Sequence, residues 1–282
     1  MIRYSRVASA FLASMALAAA APGCSDDNDG NGGVGAGPNA VCEAPEEHPH
    51  DPSQPEWSYT GSDDGPEHWG DLPGYELCGT GNEQTPIDIL TTNTMQITEP
   101  LVFEGYDTKI PLVELDNGHT LECLHEEQTS DPRITYAGKT YHLIQFHGHS
   151  TSEHLVDGQS FGYELHLVHQ ADDKSLAVVG ILFELGPESE LVATLLEHDP
   201  GHEKQTTCSL DIDLGSVIPS GGFYHYNGSL TTPACGEGVS WFVMKSHHTI
   251  SAEQVAAYQE IFGGPTNRPV NPLGDRIVYA SP

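Results

Sequence analysis

Basic residues are scarce. Lysine and arginine number 10 in 282 residues against 41 Asp and Glu, a formal charge of −31 with His neutral. Nucleic-acid and anionic-membrane recognition rest on clustered Lys and Arg, so no nucleic-acid partner is expected. Long apolar runs are scarce too. Beyond the N-terminal stretch none reaches the roughly 20 residues that a membrane-spanning helix needs. With so few cations, the chemistry of this chain must rest on imidazoles, carboxylates, hydroxyls or a metal. Sixteen His are what composition leaves to be explained. The length suits one large domain or two small ones and is enough to bury a substantial core.

Residues 1–23 read as an export signal. Arg3 and Arg6 form a positive start, Val7 to Ala21 a small-residue apolar stretch, and Ala21-Pro22-Gly23-Cys24 the end. Small residues before Cys24 resemble a bacterial lipoprotein processing site, where the Cys takes a lipid anchor. The expected location is therefore the periplasm or cell envelope as a lipoprotein, with plain secretion as the alternative. Residues 24–55 are rich in Asp, Asn, Gly and Pro and poor in large apolar residues, which predicts a flexible acidic linker. His48 and His50 lie within it as solvated residues. The folded unit is expected over 56–282.

Strand signals dominate that unit. Ile134–Tyr136 and Tyr141–His149 flank Ala137-Gly138-Lys139, a hairpin turn, and Glu164–His169, Leu176–Leu185 and Val239–Met244 are further β-rich runs. Helices are predicted only over 187–197 and 251–262, the second with Ser251 and Gln254 as a capping box and Gly263 as the stop. The fold class is α+β, mainly β. One domain is expected, built on a large twisted, mostly antiparallel sheet with short peripheral helices.

The chemistry concentrates in Gln145-Phe146-His147-Gly148-His149. Side chains alternate faces along a strand, so Gln145, His147 and His149 point one way and two imidazoles can reach one metal ion. Glu164-Leu165-His166-Leu167-Val168-His169 offers another imidazole flanked on its own face by Glu164. If the two strands pair, His166 completes three nitrogens, the ligand count of a catalytic zinc site with one open position. Glu164 could then accept a ligand imidazole N–H. Glu153 follows closely, either as a fourth ligand or as an orienting acceptor. Gly228-Ser229-Leu230-Thr231-Thr232-Pro233 is a hydroxyl-bearing loop, with Pro233 keeping Thr232 out of helical geometry.

With Gly65-Pro66-Glu67-His68-Trp69-Gly70, Gln84-Thr85-Pro86-Ile87-Asp88-Ile89, Asn117-Gly118-His119, Ser152-Glu153-His154 and Asn267-Arg268-Pro269, these segments run in order from Trp57 to the C-terminal region. In order and spacing they resemble the α-class carbonic anhydrases, and the short step from His149 to Glu153 resembles the bacterial branch. The resemblance implies a lyase for the reversible hydration of carbon dioxide to bicarbonate, by attack of zinc-bound hydroxide. His147, His149 and His166 would hold Zn2+. Thr231 would orient the nucleophile by donating its own proton to Glu153. Gln145, Glu164 and the backbone carbonyl of Asn267 would each fix one ligand imidazole. Val168, Val178, Leu230, Val239 and Trp241 would line the carbon dioxide slot, with Thr231 and Thr232 on the substrate loop. His119 would shuttle the proton out through water ordered by Tyr59 and Asn117. Cys78 and Cys235 would form a disulfide bracing the Thr231 loop.

This chain departs from the family pattern at several places. Gly148 stands where the family usually has an aromatic residue, Ser150-Thr151 replace the commoner Ala-Pro, Ala234 replaces a second Pro, and Glu122 sits where some relatives have Asn. Gly148 puts the stiffness of the ligand strand in question. The pairing of Cys42, Cys123 and Cys208 stays open: Cys123 and Cys208 could fall on neighbouring strands and form a second bridge, which would leave Cys42 able to crosslink a homodimer. Two other readings stay open. A cupin-type metal oxygenase or isomerase would use His147, His149 and Glu153 as ligands, but that family's second motif is absent. A non-enzymatic binding module would normally have lost a ligand His, and none is missing.

Overall fold

The computed structural model describes residues 44–47, 53–106, 112–125, 131–202, 204–208 and 212–282. The expected signal segment, Cys24, Cys42, His48 and His50 lie outside the described residues. The strands are β1 (Glu46–Glu47), β2 (Asp88–Ile89), β3 (Met95–Gln96), β4 (Val102–Glu104), β5 (Leu112–Asp116) and β6 (Leu121–His125). They continue as β7 (Arg133–Tyr136), β8 (Lys139–His149), β9 (Leu155–Val156), β10 (Tyr163–Gln170) and β11 (Leu176–Leu185). The last are β12 (Lys204–Cys208), β13 (Phe223–Ser229), β14 (Glu237–Met244), β15 (His248–Ile250) and β16 (Tyr279–Ala280). Among the described residues the α-helices are short: α1 (Leu77–Thr80), α2 (Glu190–His198), α3 (Leu214–Val217) and α4 (Ala252–Ile261). Fourteen strands form one sheet in the order β1-β12-β5-β6-β8-β10-β11-β14-β13-β16-β3, with β15 on β11 and the β4–β7 pair on β8. Within it the β11–β14, β11–β15 and β16–β3 pairs are parallel and the others antiparallel, while β2 and β9 pair parallel as a separate two-stranded sheet. The expected fold class stands.

The predicted hairpin is β7–β8, turning on Ala137 (φ 49°) and Gly138 (φ 78°), a two-residue turn with both residues in the left-handed region. Helix α4 has the expected capping box between Ser251 and Gln254. The Gln254 side chain also pairs with the backbone of Ser189, the N-cap of α2, and so ties the two helices together.

Two structural facts bear on these expectations. Two residues of the expected linker form β1, which pairs antiparallel with β12, Glu47 opposite Lys204. An edge strand offers unpaired N–H and C=O groups, and the linker backbone satisfies part of that edge. Cys123 on β6 and Cys208 on β12 are not on neighbouring strands, because β5 runs between them. Two inter-strand steps of about 4.8 Å exceed disulfide reach, and Cys123 is a buried free thiol.

Apolar side chains pack on both faces of the sheet. One cluster joins Phe146, Tyr163, Leu165, Leu167 and Phe183 with Val192, Leu195 and Tyr258 of the helices. The other holds Val168, Val178, Val239, Trp241 and Tyr226, with Leu230 packed against it. A third small cluster sets Trp57, Tyr59 and Trp69 beside Cys78 and Cys235.

Candidate active site

The register of three central strands builds the site. His147 on β8 lies opposite His166 on β10, and His149 lies opposite Glu164. His166 in turn faces Gly180 of β11, where an added Cβ would stand 2.8 Å from Glu164 Oε1. The glycine leaves the room that the Glu164 carboxylate occupies. One row further, Gln145, Val168, Val178 and Trp241 are successive cross-strand partners. The polar ligand row and the apolar wall are thus adjacent rows on one sheet face.

The imidazoles of His147, His149 and His166 converge so that their available nitrogens lie within 4.8 Å of one another. Each ring has one nitrogen tied. His147 Nδ1–H donates to Gln145 Oε1 at 2.7 Å, His149 Nδ1–H to the carbonyl of Thr266 at 2.7 Å, and His166 Nε2–H to Glu164 Oε1 at 3.0 Å. The Thr266 contact corrects the expectation for Asn267: the acceptor lies one residue earlier, since the chain crosses beneath His149 at Thr266. The tautomers leave His147 Nε2, His149 Nε2 and His166 Nδ1 free to ligate. His149 Nε2 is buried and has no hydrogen-bond partner among the described residues. A buried lone pair without a donor is costly unless something cationic meets it. The donor set, three nitrogens with ordered partners behind them, suits a zinc ion with an open fourth position.

Electrostatics point the same way. Burial, reinforced by the neighbouring imidazoles, holds His147 well below its usual pKa, and burial brings His149 down to about 4 and lowers His166. All three are therefore neutral ligands at neutral pH. Burial opposes ionisation of Glu164, but the His154 and His166 rings beside it prevail and keep the carboxylate well below its ordinary range. Its Oε2 accepts the backbone N–H of Glu153 (2.9 Å) and His154 (2.8 Å), while Oε1 also takes His154 Nδ1–H (2.6 Å). His154 reaches on to the Tyr226 hydroxyl at 2.6 Å. Three donors besides His166 make Glu164 a rigid acceptor for it.

Glu153 is buried and accepts the Arg268 backbone N–H at 2.9 Å. Burial raises its pKa to about 7, against the opposing pull of His166, the Arg268 N–H and the Thr231 hydroxyl. A dication on the imidazoles would add to that pull and favour the carboxylate. Thr231 is buried and Thr232 half-buried on a loop closed by Leu230 N–H to Gly236 and Cys235 N–H to the Thr232 carbonyl. The Cys78–Cys235 disulfide anchors that loop.

His119 is half-buried and stacked on Trp57, with centroids 3.7 Å apart and planes 12° apart. Trp57 packs edge-on against Tyr59 and Trp69. Tyr59 sits edge-on to His149, its hydroxyl 3.5 Å from Nδ1. The Asn117 amide is used in the turn: Oδ1 accepts the N–H groups of His119 and Thr120, and Nδ2 donates to Glu122 Oε2. Asn117 thus sets where the His119 backbone goes. Sequence reasoning missed Trp57, Thr266 and His154 as site residues. An aromatic pair spaced Trp57-x-Tyr59 was a legible hint for the first, whereas a backbone carbonyl leaves no mark in sequence.

The comparisons agree with this geometry. The model of the eukaryotic-type carbonic anhydrase family matches residues 64–282. A carbonic anhydrase of Nostoc sp. is 37% identical over 232 residues, 79% of this chain and 84% of the relative. Among solved structures, a hyperthermostable carbonic anhydrase from a hydrothermal vent chimney superposes with TM-score 0.75 at 35% identity, over 80% of this chain and all of that one. The α-carbonic anhydrase of Thermovibrio ammonificans in complex with the inhibitor sulfanilamide gives TM-score 0.73 at 34% identity, over 79% and 98%. By sequence, fold and the histidine cluster that the sheet register assembles, this chain is an enzyme that belongs to the eukaryotic-type carbonic anhydrase family, whose general reaction is the hydration of carbon dioxide.

Proposed function

We propose that the protein is a zinc enzyme that hydrates carbon dioxide reversibly to bicarbonate at the His147–His149–His166 cluster. The observation that carries this is the buried His149 Nε2, which has no hydrogen-bond partner among the described residues and has the Glu153 carboxylate 3.7 Å away, beside two other imidazoles whose second nitrogens are already engaged. Zinc bound there would supply hydroxide at neutral pH, since it lowers the pKa of its water to roughly 7 in enzymes of this type. The rest is done by the chain. Thr231 donates a hydrogen bond from its hydroxyl to Glu153, which leaves a lone pair to accept a hydrogen bond from the nucleophile and fix its direction. Arg268 N–H holds Glu153 ready for that donation. Val168, Val178, Val239, Trp241 and Leu230 offer a dry wall for a substrate with no charge and little hydrogen-bonding ability.

A proton must leave the site each cycle, and His119 is the residue type that titrates near neutrality. Held by its stacking on Trp57, it would pass that proton on to buffer. The N-terminal sequence supports an exported protein with a lipid on Cys24. The test is a pair of variants. His147→Ala should lose zinc and activity together. His119→Ala should keep its zinc and become dependent on buffer concentration. Equal rates for His119→Ala and the parent in dilute buffer would remove the shuttle from the proposal.

A further inference from the structure

Between two of the three ligands stands a glycine, the residue least able to hold a strand rigid. The geometry around it supplies what it lacks. An ideal Cβ on Gly148 would lie 1.6 Å from Tyr163 Oη, 2.0 Å from Cζ and 2.7 Å from Cε2, so the Tyr163 ring occupies the place of a side chain at 148. Register puts Gly148 opposite Leu165 and His149 opposite Glu164, so Tyr163 reaches across diagonally from β10. Gly148 alternates with His147 and His149, and the ring therefore bears on the strand from behind the imidazoles.

The ring is itself fixed. Tyr163 is fully buried, edge-on to Phe183 at 5.5 Å and to Tyr258 at 5.3 Å. The Gly148 carbonyl accepts the Tyr258 and Thr120 hydroxyls, each at 2.7 Å. The Tyr163 hydroxyl makes no hydrogen bond of ordinary geometry among the described residues, although the Tyr258 hydroxyl acts on it, so contact area is the main contribution of the residue.

We infer that Tyr163 is a positioning residue for the metal site, its ring clamping β8 at Gly148 and holding His147 and His149 in ligating register. The inference rests on the zinc reading above. Ligand geometry must be held to about 0.5 Å for a functional site, and a loose strand between two ligands forfeits that.

The experiment compares Tyr163→Ala, Tyr163→Phe, Gly148→Phe and the double variant Gly148→Phe with Tyr163→Ala. Three quantities are read: zinc release to a chromophoric chelator, the visible spectrum of the cobalt-substituted protein, and hydrogen exchange at the 147–149 amides of metal-free protein. Tyr163→Ala should release zinc about tenfold faster or more, on the scale of losses behind metal ligands, with an altered cobalt spectrum and faster exchange at 147–149. Tyr163→Phe should match the parent. The double variant, with a ring restored from the other strand, should return release to within about threefold of the parent. Parental zinc release and exchange in Tyr163→Ala would overturn the inference, as would a double variant no slower than Tyr163→Ala. A parent that binds no zinc would instead defeat the zinc reading, and the exchange comparison would still judge Tyr163.

Discussion

Glu114 is an ionisable group in the wrong place for a charge. It lies on β5 fully buried, opposite Cys123, and neither carboxyl oxygen has a hydrogen-bond partner among the described residues. Burial, with a smaller contribution from Asp199, raises its pKa from 4.5 to about 9. Between those two values the folded protein binds one proton more than the unfolded chain, so stability contributed by this site is full below pH 4.5 and falls as pH rises toward 9. Each pH unit in that window costs up to about 1.4 kcal/mol, or about 4 kcal/mol by pH 7.5. Relaxation around the charge makes these values ceilings. Glu114→Gln keeps the shape and removes the titration. Urea unfolding of both chelator-treated proteins at pH 5, 6.5 and 8 isolates the effect, because the other carboxylates cancel in the difference. Glu114→Gln should gain on the parent steadily with pH. Parallel stability curves would refute the reasoning, and would mean that Glu114 ionises in the folded state at its ordinary pKa.

Other consequences follow from the site. Gly180→Ala drives a methyl toward Glu164 Oε1 and should weaken zinc binding by roughly 10–100-fold, read by competition with a chelator of known affinity. Trp57→Ala removes the surface on which His119 stacks. Zinc content should stay unchanged, while hydration in dilute buffer falls several-fold and recovers in strong buffer. Removing the Cys78–Cys235 bridge, which closes a separation of 157 residues, should cost about 2–5 kcal/mol in urea unfolding.

The ligand strand was readable because alternation forces Gln145, His147 and His149 onto one face, and β10 could be paired with it through Glu164 and His166. The capping box of α4 and the β7–β8 hairpin were equally local and equally legible. The missed partners are non-local. Thr266 acts through its backbone carbonyl, which any residue supplies, and only the path of the C-terminal segment brings it under His149. Asn117 carries a side chain suited to ordering water, but its amide closes a turn on His119 and Thr120. Cys123 and Cys208 fail as a pair because β5 inserts between strands that are distant in sequence. Gly148 looked like a weakness in the ligand strand until Tyr163, fifteen residues further on, was seen to lie across it.

The central claim is that three imidazoles and a zinc ion hydrate carbon dioxide. Stopped-flow carbon dioxide hydration on the purified protein, with zinc quantified on the same sample and a chelated control, tests it most directly. Activity should be proportional to zinc, one ion per chain, abolished by the chelator and restored by zinc. Fully zinc-loaded protein without hydration would contradict it.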